Sequence, residues 1–85
     1  MSRLLNDETI AVKVDRDENP LAFTRAGRTH TIDHVHQHWL VDTEWWSEAG
    51  HVHREYYAVT TSDGFLCTLY HDLVEEVWCI EKVYD

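Results

Sequence analysis

The chain has 85 residues and carries sixteen acidic against seven basic side chains, a formal net charge of −9 with histidine neutral. That length allows one domain near the lower limit of a self-sufficient core. The charge argues against direct nucleic-acid binding, which rests on cationic neutralisation of phosphates, and favours a basic protein partner.

No apolar run is long enough to span a bilayer and no N-terminal run resembles a signal peptide, so a cytoplasmic location, no membrane contact and reduced cysteines are expected. Four Trp, four Tyr and two Phe supply large buried areas per residue. A homodimer would ease the shortage of core.

In chain order, residues 1–7 lack an apolar pattern and read as a flexible tail, leaving 8–85 as a single β domain. Ile10, Val12 and Val14 alternate with the period of a half-buried strand. Asp15 to Pro20 is a turn of short polar residues closed by the only proline. Leu21 and Phe23 share one face of a short second strand, and Ala26-Gly27-Arg28 turns the chain, with Gly27 able to take a positive φ.

The third strand is long and changes parity: Ile32 is at an even position, whereas Val35, Trp39, Val41 and Trp45 are at odd ones. A β-bulge near Asp33-His34 reconciles the two sets and bends the sheet. A connection at 47–50 leads to a fourth strand at about 52–61. Ser62-Asp63-Gly64 closes a hairpin into 65–70, and the last strand is 77–84. No stretch has a sustained helical period. The fold class is therefore all-β, a small curved antiparallel meander or SH3-like barrel of about six strands.

His34-Val35-His36-Gln37-His38 is the most tempting chemical feature. Alternation places the three imidazoles on one strand face, with i and i+2 side chains roughly 6–7 Å apart. Two of them can chelate a divalent metal, with His51, His53 or Glu44 as further donors. The plainer reading is a solvated face opposite Val35 and Trp39, because a stable site needs a closed ligand set with support behind it. The run His34–Leu40 also resembles the histidine-triad hydrolase pattern over seven residues, but Gln37 departs from it and no nucleotide-holding α+β domain lies upstream.

Cys67 and Cys79 each lie in an apolar strand run, which suits buried inert thiols. Glycine-rich phosphate loops and nucleophile elbows are absent. No catalytic residue and no cofactor are expected. Trp39, Trp45, Trp78, Phe23 and Tyr57 follow strand spacing and are expected in the core. Trp46 and Tyr56, each beside an inward residue, are expected outside, where with Arg54 they would form a protein-contact surface or a dimer contact.

Pro20-Leu21-Ala22-Phe23, Gly27-Arg28, Trp39, Trp45-Trp46, Arg54-Glu55-Tyr56-Tyr57, Asp63-Gly64, Leu69 to Leu73, Trp78 and Val83-Tyr84-Asp85 together resemble the DUF6504 family of small bacterial proteins. From about residue 45 to 84 the same order is similar to the C-terminal segment of inactive Y-family polymerase homologues in bacterial mutagenesis cassettes. Two departures stand out: Glu75-Glu76 replaces the glycine usual before the last tryptophan, and histidines replace basic residues of the third strand. The resemblance implies a non-enzymatic accessory role in translesion DNA synthesis or repair, exercised through protein contacts with a polymerase or repair component.

Overall fold

Four tight polar connections and one longer link join runs of alternating apolar residues, and the chain folds by pairing each strand with the next. A computed structural model describes residues 3–42 and 53–84, with side chains from residue 8 onward. Six strands, β1 (Arg3–Val14), β2 (Pro20–Arg25), β3 (Arg28–Asp42), β4 (His53–Thr61), β5 (Leu66–Asp72) and β6 (Val77–Tyr84), close into an antiparallel barrel in sequence order. β1 begins inside the segment read as a tail, with Arg3 opposite Val83 and Leu4 opposite Lys82.

The turns follow the local chemistry. Ala26 (φ 52°) and Gly27 (φ 76°) are both left-handed, as a primed two-residue hairpin requires, and Arg25 pairs with Arg28. Gly64 (φ 93°) completes the β4–β5 hairpin, where its N–H donates to the Thr61 carbonyl. In the β5–β6 turn, Asp72 Oδ1 accepts the N–H groups of Val74 and Glu75, and Glu76 takes the left-handed position (φ 57°) that glycine would suit better.

Irregularities set which residues face inward. Between β1 and β2 the register passes from Lys13↔Ala22 to Val14↔Pro20, so Leu21 is the unpaired extra residue. Pro20 is buried in its place, and Leu21 is 43% exposed rather than sharing the Phe23 face. In β3 the expected bulge is present at Asp33, between the Ile32↔Thr61 and His34↔Thr60 pairs. A second one at His36, between Val35↔Val59 and Gln37↔Ala58, has no counterpart in the sequence reading.

The barrel interior holds Ile10, Phe23, Tyr57, Val59, Cys67, Leu69 and Ile80, with Val12, Ile32, Trp78 and Val83 packed against them. A second cluster, Tyr56, Tyr70 and Cys79 with Val41 and Val77, occupies the opposite face of β3–β6. Trp39 belongs to that outer row, opposite Tyr56, and is 39% exposed; the second bulge has moved it out of the core position that alternation predicts. Trp45 and Trp46 lie outside the described residues. Both cysteines are buried and free, one in each cluster, and burial pushes the Cys67 thiol up to about 11.

Candidate functional site

The β1–β2 connection fixes one mouth of the barrel. Asp15 Oδ1 accepts the N–H groups of Asp17 (2.8 Å) and Asn19 (2.9 Å), and the Asp15 N–H donates to the Asn19 carbonyl (3.0 Å). These bonds, with the Asn19 backbone N–H the first cause, hold the Asp15 carboxyl below the usual carboxylate range against an opposing effect of burial. The turn brings Asp17, Glu18 and Asn19 to the rim, where they meet His38, Glu55, Tyr57, His71 and Leu73 around a recess of about 160 Å³.

Register explains why these side chains converge. His38 pairs with Tyr57, Glu55 with His71, and His71 with Trp78, so all project from the inner face. His38 Nε2 lies 2.8 Å from Glu55 Oε2, and the Tyr57 hydroxyl donates to the same oxygen at 3.1 Å. Two flat stacks form the wall, His38 on Tyr57 at 4.4 Å and His71 on Trp78 at 4.6 Å, with Tyr57 and Trp78 rings 5.4 Å apart. Burial raises the Tyr57 hydroxyl far above the ordinary tyrosine value, and the charges of Glu55, Glu18 and Asp15 raise it further. The mouth is therefore a recess edged by the acidic side chains Asp17, Glu18 and Glu55 and lined by the His38 and His71 rings, with Tyr57 almost wholly buried against His38.

The other mouth is plugged. His30, 7% exposed, sits between Phe23 and Phe65 with ring centroids 5.1 Å from each, and its Nδ1 lies 2.9 Å from Asp63 Oδ2. About 10 Å³ is left beside it, room for about one water.

The three histidines of β3 are not brought together. The bulge at His36 leaves His34 and His36 near each other outside, with ring centroids 4.6 Å apart and His36 bonded to the Thr60 hydroxyl. His38 turns inward to Glu55. Among the described residues no group of three or more His, Cys, Asp or Glu is placed to hold a metal ion.

Of the expected contact residues, Trp46 is outside the described residues, and Tyr56 faces outward as expected but is only 8% exposed. Arg54 lies over the Tyr70 ring at 4.5 Å, and its Nη1 reaches the Tyr56 hydroxyl at 3.5 Å. Arg54 Nε is 3.4 Å from Asp72 Oδ2 but is not aligned for a hydrogen bond. The Tyr56 hydroxyl, more than the nearby Asp72 charge, raises the guanidinium above its ordinary value. Arg54 and Tyr56 thus brace the outer row, and the exposed aromatic above them is Trp39, stacked on Tyr56 at 5.4 Å with 6° between planes.

Sequence reasoning missed Glu55 and His71 as members of the mouth. The available signal was parity: Glu55 and Tyr57 are two apart on β4 and must share a face. No helix among the described residues is long and apolar enough to cross a membrane. No curated protein and no solved structure matches the chain. A family model described as a domain of unknown function (DUF6504) matches residues 1–84, and the six-stranded acidic barrel belongs to that family.

Proposed function

We propose that the domain is a non-catalytic protein-interaction module for a partner with a basic face, and that Trp39 is its principal anchor. The observation that carries this reading is the flat stacking of Trp39, 39% exposed, on buried Tyr56. A large aromatic already held in one orientation loses little freedom on binding, the property of interface hot spots. Arg54 supports it from below through Tyr56, and Trp46 remains part of the proposed surface.

Two further features favour contact through side chains. Barrel closure gives every strand a paired neighbour on each side, so a partner strand could add only where a ladder stops short, as the β2–β3 ladder does at Thr31. The net charge of −9 would steer a basic surface toward the domain. The resemblance of residues 45–84 to the tail of inactive Y-family polymerase homologues suggests a polymerase or repair component as that partner.

A tagged pull-down from source cells, with and without DNA damage, tests both levels of the proposal when read by mass spectrometry. Polymerase or repair subunits should be recovered from the wild type and lost with Trp39→Ala, while the melting temperature falls by only a few degrees, about 1 kcal/mol for an exposed stack. Equal recovery with a folded Trp39→Ala variant would overturn the anchor. Sedimentation at increasing concentration separates self-association from a heterologous partner.

A further inference from the structure

We infer that the far half of β3 is a self-pairing edge, where two copies of the chain join antiparallel about a two-fold axis into one continuous β4–β3–β3–β4 sheet. The two edges of β3 are used unequally. One pairs with β4 from Ile32 to Asp42, whereas the other pairs with β2 only from Arg28 to Thr31. Among the described elements β3 meets only β2 and β4, so from Asp33 to Val41 it has a ladder on one side alone.

Side chains along this edge are left uncovered as well. Every residue from Asp33 to Leu40 is exposed. Leu40 stands on the inner face, opposite Glu55, and is still 57% exposed; Val35, opposite the wholly buried Val59, is 40% exposed. Of the devices that guard an edge, lysine, proline and short length are absent, and the bulge at His36 lies at one end of the run. Beyond it, Gln37 to Val41 is a regular stretch of ordinary strand length.

Charge decides the occupant. Sixteen acidic and seven basic side chains crowd the chain, yet His34 to Val41 contains no Asp, Glu, Lys or Arg. A basic partner finds no carboxylate in this run, whereas a second acidic copy can approach it without like charges standing opposite each other. Symmetry fixes the register, because opposed residues in an antiparallel pair share a face. Centring the axis on Trp39 sets Leu40 against the other copy's His38 and Gln37 against its Val41. Both Trp39 rings stay on the outer face, so the pairing goes beyond the proposed partner contact and does not depend on it.

Sedimentation equilibrium of the full chain from roughly 1 µM to 1 mM should show a monomer–dimer equilibrium. Salt should strengthen it by screening repulsion between two copies of charge −9. Leu40→Lys puts a charge on the edge while facing Glu55 of its own β4, and should weaken the dimer about tenfold or more without unfolding the barrel. Val74→Lys adds the same charge in the exposed β5–β6 turn and should leave the dimer unchanged. In the wild type, alternate amides from Gln37 to Val41 should exchange hydrogen more slowly as the dimer fills. A monomer at every concentration, a dimer equally strong with Leu40→Lys, or β3 amides indifferent to concentration would overturn the edge. Leu40→Lys keeps Trp39, and the pull-down reads a different protein, so either proposal can fail alone.

Discussion

His36 and His38 stand two residues apart on β3 and point to opposite faces of the barrel. His36 meets Thr60 outside, whereas His38 lies on Tyr57 and bonds Glu55 inside. One extra residue in the β3–β4 ladder is enough to separate them, because side chains alternate with a period of two. What reads as a three-histidine face is in fact two different environments.

A double-mutant cycle on His38→Ala and Glu55→Ala should give a coupling of about 0.5–1 kcal/mol in urea unfolding, the range for a partly exposed pair. The same cycle between His34 and Glu55 should give none. Coupling of Glu55 to His34 would place the imidazoles on one face after all.

Of the three left-handed non-glycine turn residues among the described residues, Glu18, Ala26 and Glu76, the last two are local costs that substitution can remove without altering the β1–β2 turn. Ala26→Asn and Glu76→Gly should each stabilise the domain by about 0.5–1 kcal/mol. Melting temperatures of the single and double variants check this, and additive increases are expected because the two turns share no partners. Unchanged or lower temperatures would show that these turns carry no backbone strain.

Acid should unfold the domain through its turns. The Thr61 hydroxyl, with His30, lowers the Asp63 carboxyl, and backbone N–H groups lower Asp15. Burial opposes the shift at Asp72, but the N–H groups of Glu75 and Val74 and the Arg54 charge outweigh it. A carboxyl lowered in the folded state contributes stability above its unfolded value, near 3.8 here, and loses it as pH falls through the folded value. The urea midpoint should therefore drop steeply below about pH 4. Asp63→Asn should lower the midpoint at neutral pH and flatten the acid branch; an unaltered profile would discount the Asp63 contacts.

Cys67 offers a reporter of opening. With its thiol pushed up to about 11 and 1% exposed, only about one molecule in a thousand holds the thiolate at pH 8. In a Cys79→Ser background, labelling by a thiol reagent should be slow and should accelerate with denaturant in step with unfolding. Rapid labelling of the native protein would mean that the interior opens locally near β5.

The strands and turns were legible because their signals are local. Alternation marked β1, Pro20 and Ala26-Gly27 bounded β2, and Asp63-Gly64 closed β4–β5. The bulges at Leu21 and His36 were not legible, since an extra residue is defined only against the opposite strand. That one missing fact exchanged the expected faces of His38 and Trp39, and with them the contents of the mouth and of the outer row. Parity turns Tyr56 outward, opposite Trp39, but its 8% exposure depends on neighbours that parity does not describe.

The seam between β1 and β6 also imposes an order on biosynthesis. Hairpins such as β2–β3 and β4–β5 join near neighbours and can zip while the chain is still emerging. Thr9 meets Cys79, 70 positions later, only once Val77–Tyr84 has been made. Until that moment β1 and β5 each expose a bare strand to other nascent chains, and mutual repulsion between acidic copies is the available protection. Substitutions that lower the acidic charge should therefore reduce soluble yield before they reduce the stability of the finished barrel.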